Sequence, residues 1–240
     1  MRIPRIYIDV PLTVGSEISL DEAHRHIVQV LRLKVGARLV LFNGLDGEYS
    51  ATLRHVERRT STATVDAFVR IDRESSLEIE LWHGIAKGAR MDYVLQKAVE
   101  LGVRRIRPLL MDFTAASRSD WQPRLRHWQG VIISACEQSG RTRVPELCHP
   151  QSLGECSMIC TDTLGLVLDP SAEHGIRAVR QAPRRLILLV GPEGGLSAQE
   201  LQHAQDKGFK RVRMGPRTLR TETASLAALS VAQALWGDLQ

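Results

Sequence analysis

The chain has 240 residues, of which 43% are hydrophobic and 25% are charged, so it can bury the core of one large domain or two modest ones. Its formal net charge of +5 is compatible with an anionic partner but does not bear on the fold. The first residues lack the apolar run of a signal peptide, and the longest apolar stretch, residues 186–190, is too short to span a bilayer. We therefore expect a cytoplasmic protein without membrane association.

The N-terminal part, residues 1–72, is expected to form a small β-barrel-like domain. Strand-forming runs, some alternating and some rich in β-branched residues, occupy residues 6–10, 38–43, 48–56 and 60–71. A hairpin connection is expected at Gly44–Gly47. Ser19 and Glu22 have the spacing of a capping box, and apolar residues follow at helical spacing, so one helix should interrupt the strands.

A polar stretch, residues 72–76, marks the predicted domain boundary, and residues 73–240 alternate between strand and helix patterns. This alternation is typical of an α/β domain with a mostly parallel sheet. Strands are predicted at residues 77–86, 103–111, 159–161, 164–168, 186–190 and 211–214, and helices at residues 91–101, 121–138, 197–207 and 223–236. Gly102 has the position of a residue that ends a helix.

The four cysteines, at positions 136, 148, 156 and 160, form no C-x-x-C pair. Reduced thiols in a cytosolic protein are therefore favoured over a metal site, and we expect no metal.

A first glycine-bearing loop, residues 189–197, follows the most hydrophobic strand and leads into a capped helix. Such a place, beyond the carboxyl end of a strand, is where ligands bind in open α/β sheets. Gly191, Gly194 and Gly195 fit neither the dinucleotide fingerprint nor a Walker loop. A tight turn would explain the glycines alone, but Glu193 inside the turn can interact with the helix N-terminus or a polar ligand group.

A second loop, residues 214–224, also lies between a strand and a helix. Gly215 marks a turn, and Arg217, Arg220 and Glu222 then crowd a short segment. Arg220 and Glu222 can pair with each other, yet that pair alone does not account for so many polar groups beside a strand end.

Together these loops, LVGPEGGLS and MGPRTLRTETA, resemble the cofactor loops of the RsmE family, which belongs to the SPOUT class of RNA methyltransferases. Three upstream segments resemble further elements of that family in the same order: HIVQVLR at 26–32, KAVELG at 97–102 and ACEQSGRTRVP at 135–145. The resemblance spans nearly the whole chain. It implies an N-terminal PUA-like β-barrel that orients RNA, and a C-terminal SPOUT-type α/β domain with a trefoil knot.

The resemblance also implies a function: S-adenosylmethionine-dependent methylation of a uridine N3 in 16S ribosomal RNA of the small subunit, by a homodimer. The alternatives are a SPOUT methyltransferase for another RNA or another base atom, and a non-catalytic RNA-binding or ribosome-assembly protein. A nucleotide-phosphate enzyme is disfavoured, because its lysine and acidic Mg²⁺ ligands are missing from the expected places.

By resemblance, the two loops and the end of one preceding strand hold the cofactor. The implied residues are Leu168, Leu189, Val190, Gly191, Pro192, Glu193, Gly194, Gly195, Leu196, Met214, Gly215, Leu219, Arg220, Thr221, Thr223 and Ala224.

Catalysis requires a proton to leave uracil N3 and negative charge on the ring to be stabilised. Arg220 is the first candidate for that stabilisation, because a guanidinium near O2 or O4 would lower the pKa of N3. Glu137, Gln138 and Arg141 are second candidates. Glu222 is expected either to act as the base or to orient Arg220.

Basic residues outside the loops are interpreted as RNA contacts. The candidates are Arg2, Arg5, Arg25, Arg32, Lys87, Arg90 and Lys97. One departure from the family pattern concerns residues 112–113, where many relatives carry an arginine and this chain has Asp112 and Phe113.

Overall fold

The computed structural model describes residues 3–21, 23–24, 26–45, 47–114, 120–180 and 182–239. Two compact units make up the chain. The first contains Met1–Glu74 and Cys136–Val144, and the second contains Ser75–Ala135 and Pro145–Gln240. The change of unit after Glu74 lies two residues beyond the predicted boundary. The return of residues 136–144 to the first unit was not predicted, because it depends on contacts between segments that are far apart in sequence.

The first unit contains a five-stranded sheet with the order β1-β3-β4-β5-β2. β1 pairs with β3 in parallel, and the other neighbours are antiparallel. Alternate residues such as Leu39 and Leu41, or Ala63 and Val65, are buried in one hydrophobic core. The strands are β1 Arg5–Tyr7, β2 Glu17–Ser19, β3 Arg38–Phe42, β4 Glu48–Val56 and β5 Ser61–Val69.

The prediction of a helix capped by Ser19 was wrong. Ser19 ends strand β2, where it pairs with Thr62 of β5. Its hydroxyl accepts a hydrogen bond from the backbone N–H of Asp21 at 3.2 Å, and Glu22, the other half of the predicted box, lies outside the described residues. The helical segment is shorter: a π-helix at His26–Val30 that buries Ile27. Pairing across the sheet overrides the local capping pattern.

The second unit contains a seven-stranded sheet with the order β12-β10-β11-β6-β7-β8, and β9 also pairs with β7. All these pairings are parallel, so the predicted parallel α/β domain is confirmed. The strands are β6 Glu78–Gly84, β7 Val103–Leu110, β8 Glu146–Leu147, β9 Gln151–Ser152, β10 Thr163–Leu168, β11 Arg185–Val190 and β12 Phe209–Val212. The helices are α1 Ala89–Glu100, α2 Gln122–Ser139, α3 Ala198–Asp206 and α4 Thr221–Trp236, and the end of α2 from Cys136 onward belongs to the first unit.

Most predicted elements of this unit are confirmed within a few residues, including Gly102, which follows α1 with φ +80°. The strand expected at residues 159–161 is absent from the described structure there, since the N–H of Ile159 donates to the carbonyl of Lys207 after α3. The two-residue strands β8 and β9 were not predicted, because so short a segment carries no periodicity.

The position of β10 decides where the two loops meet. It pairs with β11 on one side and β12 on the other, so the carboxyl ends of three parallel strands lie side by side. Val190 ends β11 and Val212 ends β12, and the loop that follows each strand therefore opens at the same edge. The trefoil knot stays a prediction.

Three further observations concern the described residues only. No helix among them has the length and apolarity needed to cross a bilayer. All four cysteines are free thiols, as predicted. Within the same ranges, no group of three or more His, Cys, Asp or Glu side chains is gathered in a way that could hold a metal ion.

Candidate functional site

A cavity of about 560 Å³ opens at the carboxyl ends of β10, β11 and β12, and we call it the cleft. Both glycine-bearing loops line it, so the structure brings together most of the residues that the sequence singled out. Those residues are Leu168, Val190, Gly191, Pro192, Glu193, Gly194, Gly195, Leu196, Met214, Gly215, Leu219, Arg220, Thr221, Glu222 and Ala224.

Two candidate cofactor residues are not part of the lining. Leu189 is fully buried in a hydrophobic core with Trp82 and Phe209, and Thr223 is exposed on the first turn of α4. The lining also includes residues that the sequence did not assign to a cofactor, namely Arg90, Asp169, Pro170, Leu201, Arg217 and Thr218.

The glycines of the first loop are explained by close packing and by backbone conformation. A Cβ on Gly191 would lie 2.8 Å from Leu196 Cδ1, and one on Gly194 would lie 2.5 Å from the Cβ of Phe113. Gly195 has φ +77°, a conformation that side chains disfavour. The loop is closed by a 2.9 Å hydrogen bond from the N–H of Gly195 to the carbonyl of Pro192.

Strand β6, which pairs with β11, packs against the same loop. Its last residue is Gly84, on which a Cβ would lie 2.5 Å from the backbone nitrogen of Pro192 and 2.9 Å from the sulfur of Met111. Sequence reasoning missed Gly84, although a glycine at the end of a buried strand is a recognised sign of close backbone approach.

Glu193 connects the first loop to the segment before α1. Its carboxylate accepts a 3.0 Å hydrogen bond from the backbone N–H of Lys87 and a 2.9 Å bond from the guanidinium of Arg90. Burial raises the pKa of Glu193, but these hydrogen bonds outweigh burial, so its pKa lies below the usual value. This connection was not predicted from the sequence, and a ligand-binding role for Glu193, which lines the cleft, stays a prediction.

Two sets of residues cap the N-terminus of α3. One is at the start of the helix itself, and the other is at residues 112–113, where the chain departs from the family pattern. Ser197 and Glu200 form the predicted capping box. Asp112 accepts a 2.6 Å hydrogen bond from the Ser197 hydroxyl, and its N–H donates to Glu200 at 2.9 Å. Asp112 and Phe113 therefore hold the first loop and α3 in place from the end of β7.

Asp169, just after β10, is a buried carboxylate that forms an ion pair with a partly exposed arginine beside the cleft. It is 6% exposed, pairs with the guanidinium of Arg211, and accepts hydrogen bonds from the N–H and hydroxyl of Ser171 at 2.9 and 2.8 Å. Burial raises the pKa of Asp169, but the bonds from Ser171 and Arg211 more than compensate, and the net pKa is lowered.

Thr221, the first residue of α4, links the two loops directly. Its side chain is buried, and its hydroxyl donates a 2.6 Å hydrogen bond to the carbonyl of Gly191. The Nε2 atom of the fully buried His83 lies 3.2 Å from the same hydroxyl.

Arg220 and Glu222 flank Thr221 and both line the cleft. Arg220 is exposed, whereas the Oε2 atom of Glu222 is buried without a hydrogen-bond partner. Within the described part of the chain, no ion pair joins these two side chains. The Glu222 carboxylate thus keeps an acceptor that no described residue satisfies, and the Arg220 side chain is accessible at the cleft.

The second group of candidate catalytic residues belongs to the first unit, whereas the cleft is built by the second. Glu137 Oε1 accepts a 3.0 Å hydrogen bond from the N–H of Tyr7. Arg141 is 4% exposed and pairs with Glu74. Gln138 is exposed. The contacts of Glu137 and Arg141 hold strand β1 and the residues before β6 in their own unit, and a catalytic role for any of the three stays a prediction.

The candidate RNA contacts differ in how much of the cation is accessible. Arg5 is 7% exposed in its side chain, pairs with Glu48, and stacks over Phe42 with 5.0 Å from its guanidinium carbon to the ring centre. Lys97 pairs with Glu100 on α1. Arg32, Lys87 and Arg90 are exposed, whereas Arg2 and Arg25 lie outside the described residues.

Two protein-family models match the chain. Residues 73–233 match the family model described as an RNA methyltransferase domain, and residues 21–66 match the one described as an RNA methyltransferase PUA domain. The class is therefore that of RNA methyltransferases with a PUA domain.

Relatives of similar length define the class further. The ribosomal RNA small subunit methyltransferase E of Buchnera aphidicola subsp. Schizaphis graminum is 34% identical, over 99% of this chain and 98% of the relative. The crystal structure of the protein with the same name from Neisseria gonorrhoeae, bound to S-adenosyl methionine, is 36% identical with a TM-score of 0.90, and covers 100% of both chains. A Legionella pneumophila methyltransferase in complex with the same molecule is 36% identical over 100% of both chains, with a TM-score of 0.92. The chain belongs to the ribosomal RNA small subunit methyltransferase E family, as the loop motifs predicted.

Proposed function

We propose that this protein transfers the methyl group of S-adenosylmethionine to N3 of a uridine in 16S ribosomal RNA of the small subunit. The observation that carries the proposal is the meeting of both glycine-bearing loops in one cavity of about 560 Å³ at three adjacent strand ends. Relatives that cover the whole chain, two of them in complex with S-adenosylmethionine, support the same cofactor here.

The cleft fits this cofactor in two respects. Gly191, Gly194 and Gly195 line the cleft and carry no side chains, so the backbone groups at these three positions can approach a ligand closely. The unpartnered Oε2 atom of Glu222 supplies a buried acceptor for a ligand donor.

The bound cofactor supplies an electrophilic methyl group. The task of the chain is to place uracil N3 in line with that group, remove its proton and stabilise the charge that develops. Arg220 stabilises negative charge on O2 or O4, and Glu222 accepts the N3 proton. The N3–CH₃ bond then forms as the bond from the methyl carbon to sulfur breaks.

The remaining assignments follow from this reaction. The first unit orients the RNA and the second binds the cofactor and performs the transfer. The exposed cations Arg32, Lys87 and Arg90 contact RNA phosphates, which makes binding dependent on salt. The protein acts in the cytoplasm as a homodimer, and light scattering across a concentration series tests the dimer.

One experiment tests the reaction. The protein is incubated with cofactor labelled in the methyl group and with either small ribosomal subunits or naked ribosomal RNA, and the modified base is mapped. We expect label on N3 of one uridine. Label on another atom or another RNA would reject this substrate and leave a methyltransferase of different specificity. Calorimetry that detects no binding at millimolar cofactor would reject the enzyme.

A further inference from the structure

A buried histidine next to the cleft has no role in the reaction as proposed. His83 lies in β6, pairs in register with Val190 of β11, and is 0% exposed. Its Nδ1 atom lies 2.6 Å from the carbonyl oxygen of Gly84. A carbonyl oxygen only accepts hydrogen bonds, so Nδ1 must carry the hydrogen at that distance.

Burial lowers the pKa of His83 to about 4, although the Gly84 carbonyl, Glu193 and Glu222 act in the opposite direction. The ring is therefore neutral at neutral pH. With the hydrogen on Nδ1, the Nε2 atom of a neutral imidazole is an acceptor.

The hydroxyl of Thr221 faces two acceptors with one hydrogen. The carbonyl oxygen of Gly191 lies 2.6 Å away and His83 Nε2 lies 3.2 Å away. The shorter contact takes the hydrogen, which joins the start of α4 to the first residue of the loop after β11. The histidine is a second acceptor within reach of a rotation of the same hydroxyl.

We propose that Thr221 and His83 are positioning residues for the cofactor: the Thr221 hydroxyl holds the Gly191 carbonyl in the free protein and turns to His83 Nε2 when a donor of the bound cofactor takes that carbonyl. This inference rests on the proposed function, since it assumes that the cleft binds S-adenosylmethionine. It gives a role to a hydroxyl and an imidazole that are buried together. A second acceptor keeps the buried hydroxyl satisfied in both states, and an unsatisfied one would be costly.

A matched pair of variants tests the role of the hydroxyl. Thr221→Val keeps the shape and removes the hydroxyl, whereas Thr221→Ser keeps the hydroxyl. The hydroxyl keeps one hydrogen bond in both states, so we expect the Kd of Thr221→Val for S-adenosylmethionine, measured by calorimetry, to stay within about threefold of the parent value. The Kd of Thr221→Ser should also stay within about threefold of the parent value. The change that the cofactor causes in the ¹⁵N chemical shift of His83 Nε2 should be lost in Thr221→Val and kept in Thr221→Ser.

Thermal unfolding and retention of binding to small ribosomal subunits identify variants that fail to fold. If Thr221→Val is misfolded, the turn of the Thr221 hydroxyl from Gly191 to His83 is tested in the parent protein alone. The measurement is then the ¹⁵N chemical shifts of the His83 ring. We expect the Nδ1–H tautomer, and a shift of Nε2 when S-adenosylmethionine is added.

Two results would overturn the inference: a His83 ring whose shifts in the parent protein stay unchanged in the bound state, or a folded Thr221→Val variant in which the cofactor shifts Nε2 as much as it does in the parent. Either result differs from a failure of the proposed function, in which the parent protein itself would not bind S-adenosylmethionine.

Discussion

Phe113 packs against Gly194 so closely that a Cβ at position 194 would lie 2.5 Å from its own Cβ. The aromatic side chain follows β7, and the glycine belongs to the loop after β11. This contact fixes one wall of the cleft without any side chain from the loop.

Gly194→Ala is therefore expected to displace the first loop or Phe113. A clash with a neighbouring Cβ cannot be relieved by rotation about a side-chain bond, so we expect the Kd for S-adenosylmethionine to rise at least tenfold and the free energy of unfolding to fall by about 1–3 kcal/mol. Calorimetry and urea unfolding measure the two effects. The matched control is Gly130→Ala in α2, where a Cβ meets nothing within 4 Å and stability should be equal or higher. Equal cofactor affinity in both variants would contradict the prediction.

Arg220→Ala should lower turnover about 10²–10³-fold while S-adenosylmethionine binding is largely kept. Its side chain is exposed at the cleft, and charge stabilisation of this kind contributes about 10²–10³ to the rate. Single-turnover methyl transfer and calorimetry separate the two quantities. Arg213→Ala, an exposed arginine just beyond β12, is the control for a loss of charge outside the cleft. Unchanged turnover in Arg220→Ala would refute the catalytic role.

Glu137→Gln tests a residue of the first unit. Burial raises the pKa of Glu137, although the hydrogen bond from the Tyr7 N–H lowers it. A carboxyl group with a raised pKa in the folded state costs stability as the pH rises from its unfolded pKa through its folded pKa. Glutamine keeps the acceptor for Tyr7 and carries no charge, so at pH 7 the melting temperature should be equal or higher. The difference should vanish below about pH 4.

The control for that variant is Glu137→Leu, which leaves the N–H of Tyr7 without its acceptor and should cost about 1–3 kcal/mol. A fall in the melting temperature of Glu137→Gln at pH 7 would show that the charge stabilises the fold. Loss of turnover without loss of stability would instead favour the catalytic assignment of Glu137.

Asp169→Asn should destabilise the second unit by about 1–3 kcal/mol at pH 7, because the buried carboxylate loses the charge that strengthens its hydrogen bonds from Arg211, which is partly exposed, and from Ser171. The pKa of Asp169 is lowered in the folded state. Its contribution is therefore complete above the unfolded pKa and is lost as the pH falls through the folded pKa. The gap in melting temperature between the parent and Asp169→Asn should narrow below about pH 4.

Asp206→Asn is the control, since Asp206 is exposed at the end of α3 and should change stability by less than about 0.5 kcal/mol. A gap for Asp169→Asn that stays constant down to pH 2 would contradict the ion-pair explanation.

Structural features that a single short segment determines were predicted correctly from the sequence. The capping box at Ser197, the glycine after α1 and the continuous apolar run of β11 each predict their element correctly. The two loop motifs identified the family and most of the cleft lining. These features depend on neighbours within a few positions, so tertiary contacts had little to change.

What the amino-acid sequence determined by itself is thus the family, the α/β pattern of the second unit and the residues of the two loops. The tertiary structure alone decided that β10 separates β11 from β12, that Glu193 binds Lys87 and Arg90, and that His83 reaches Thr221. It also decided that Ser19 belongs to a strand and not to a helix cap. Each of these depends on strand pairing or side-chain contact between segments that are 22 or more positions apart, and such contacts leave no periodic or local pattern along the chain.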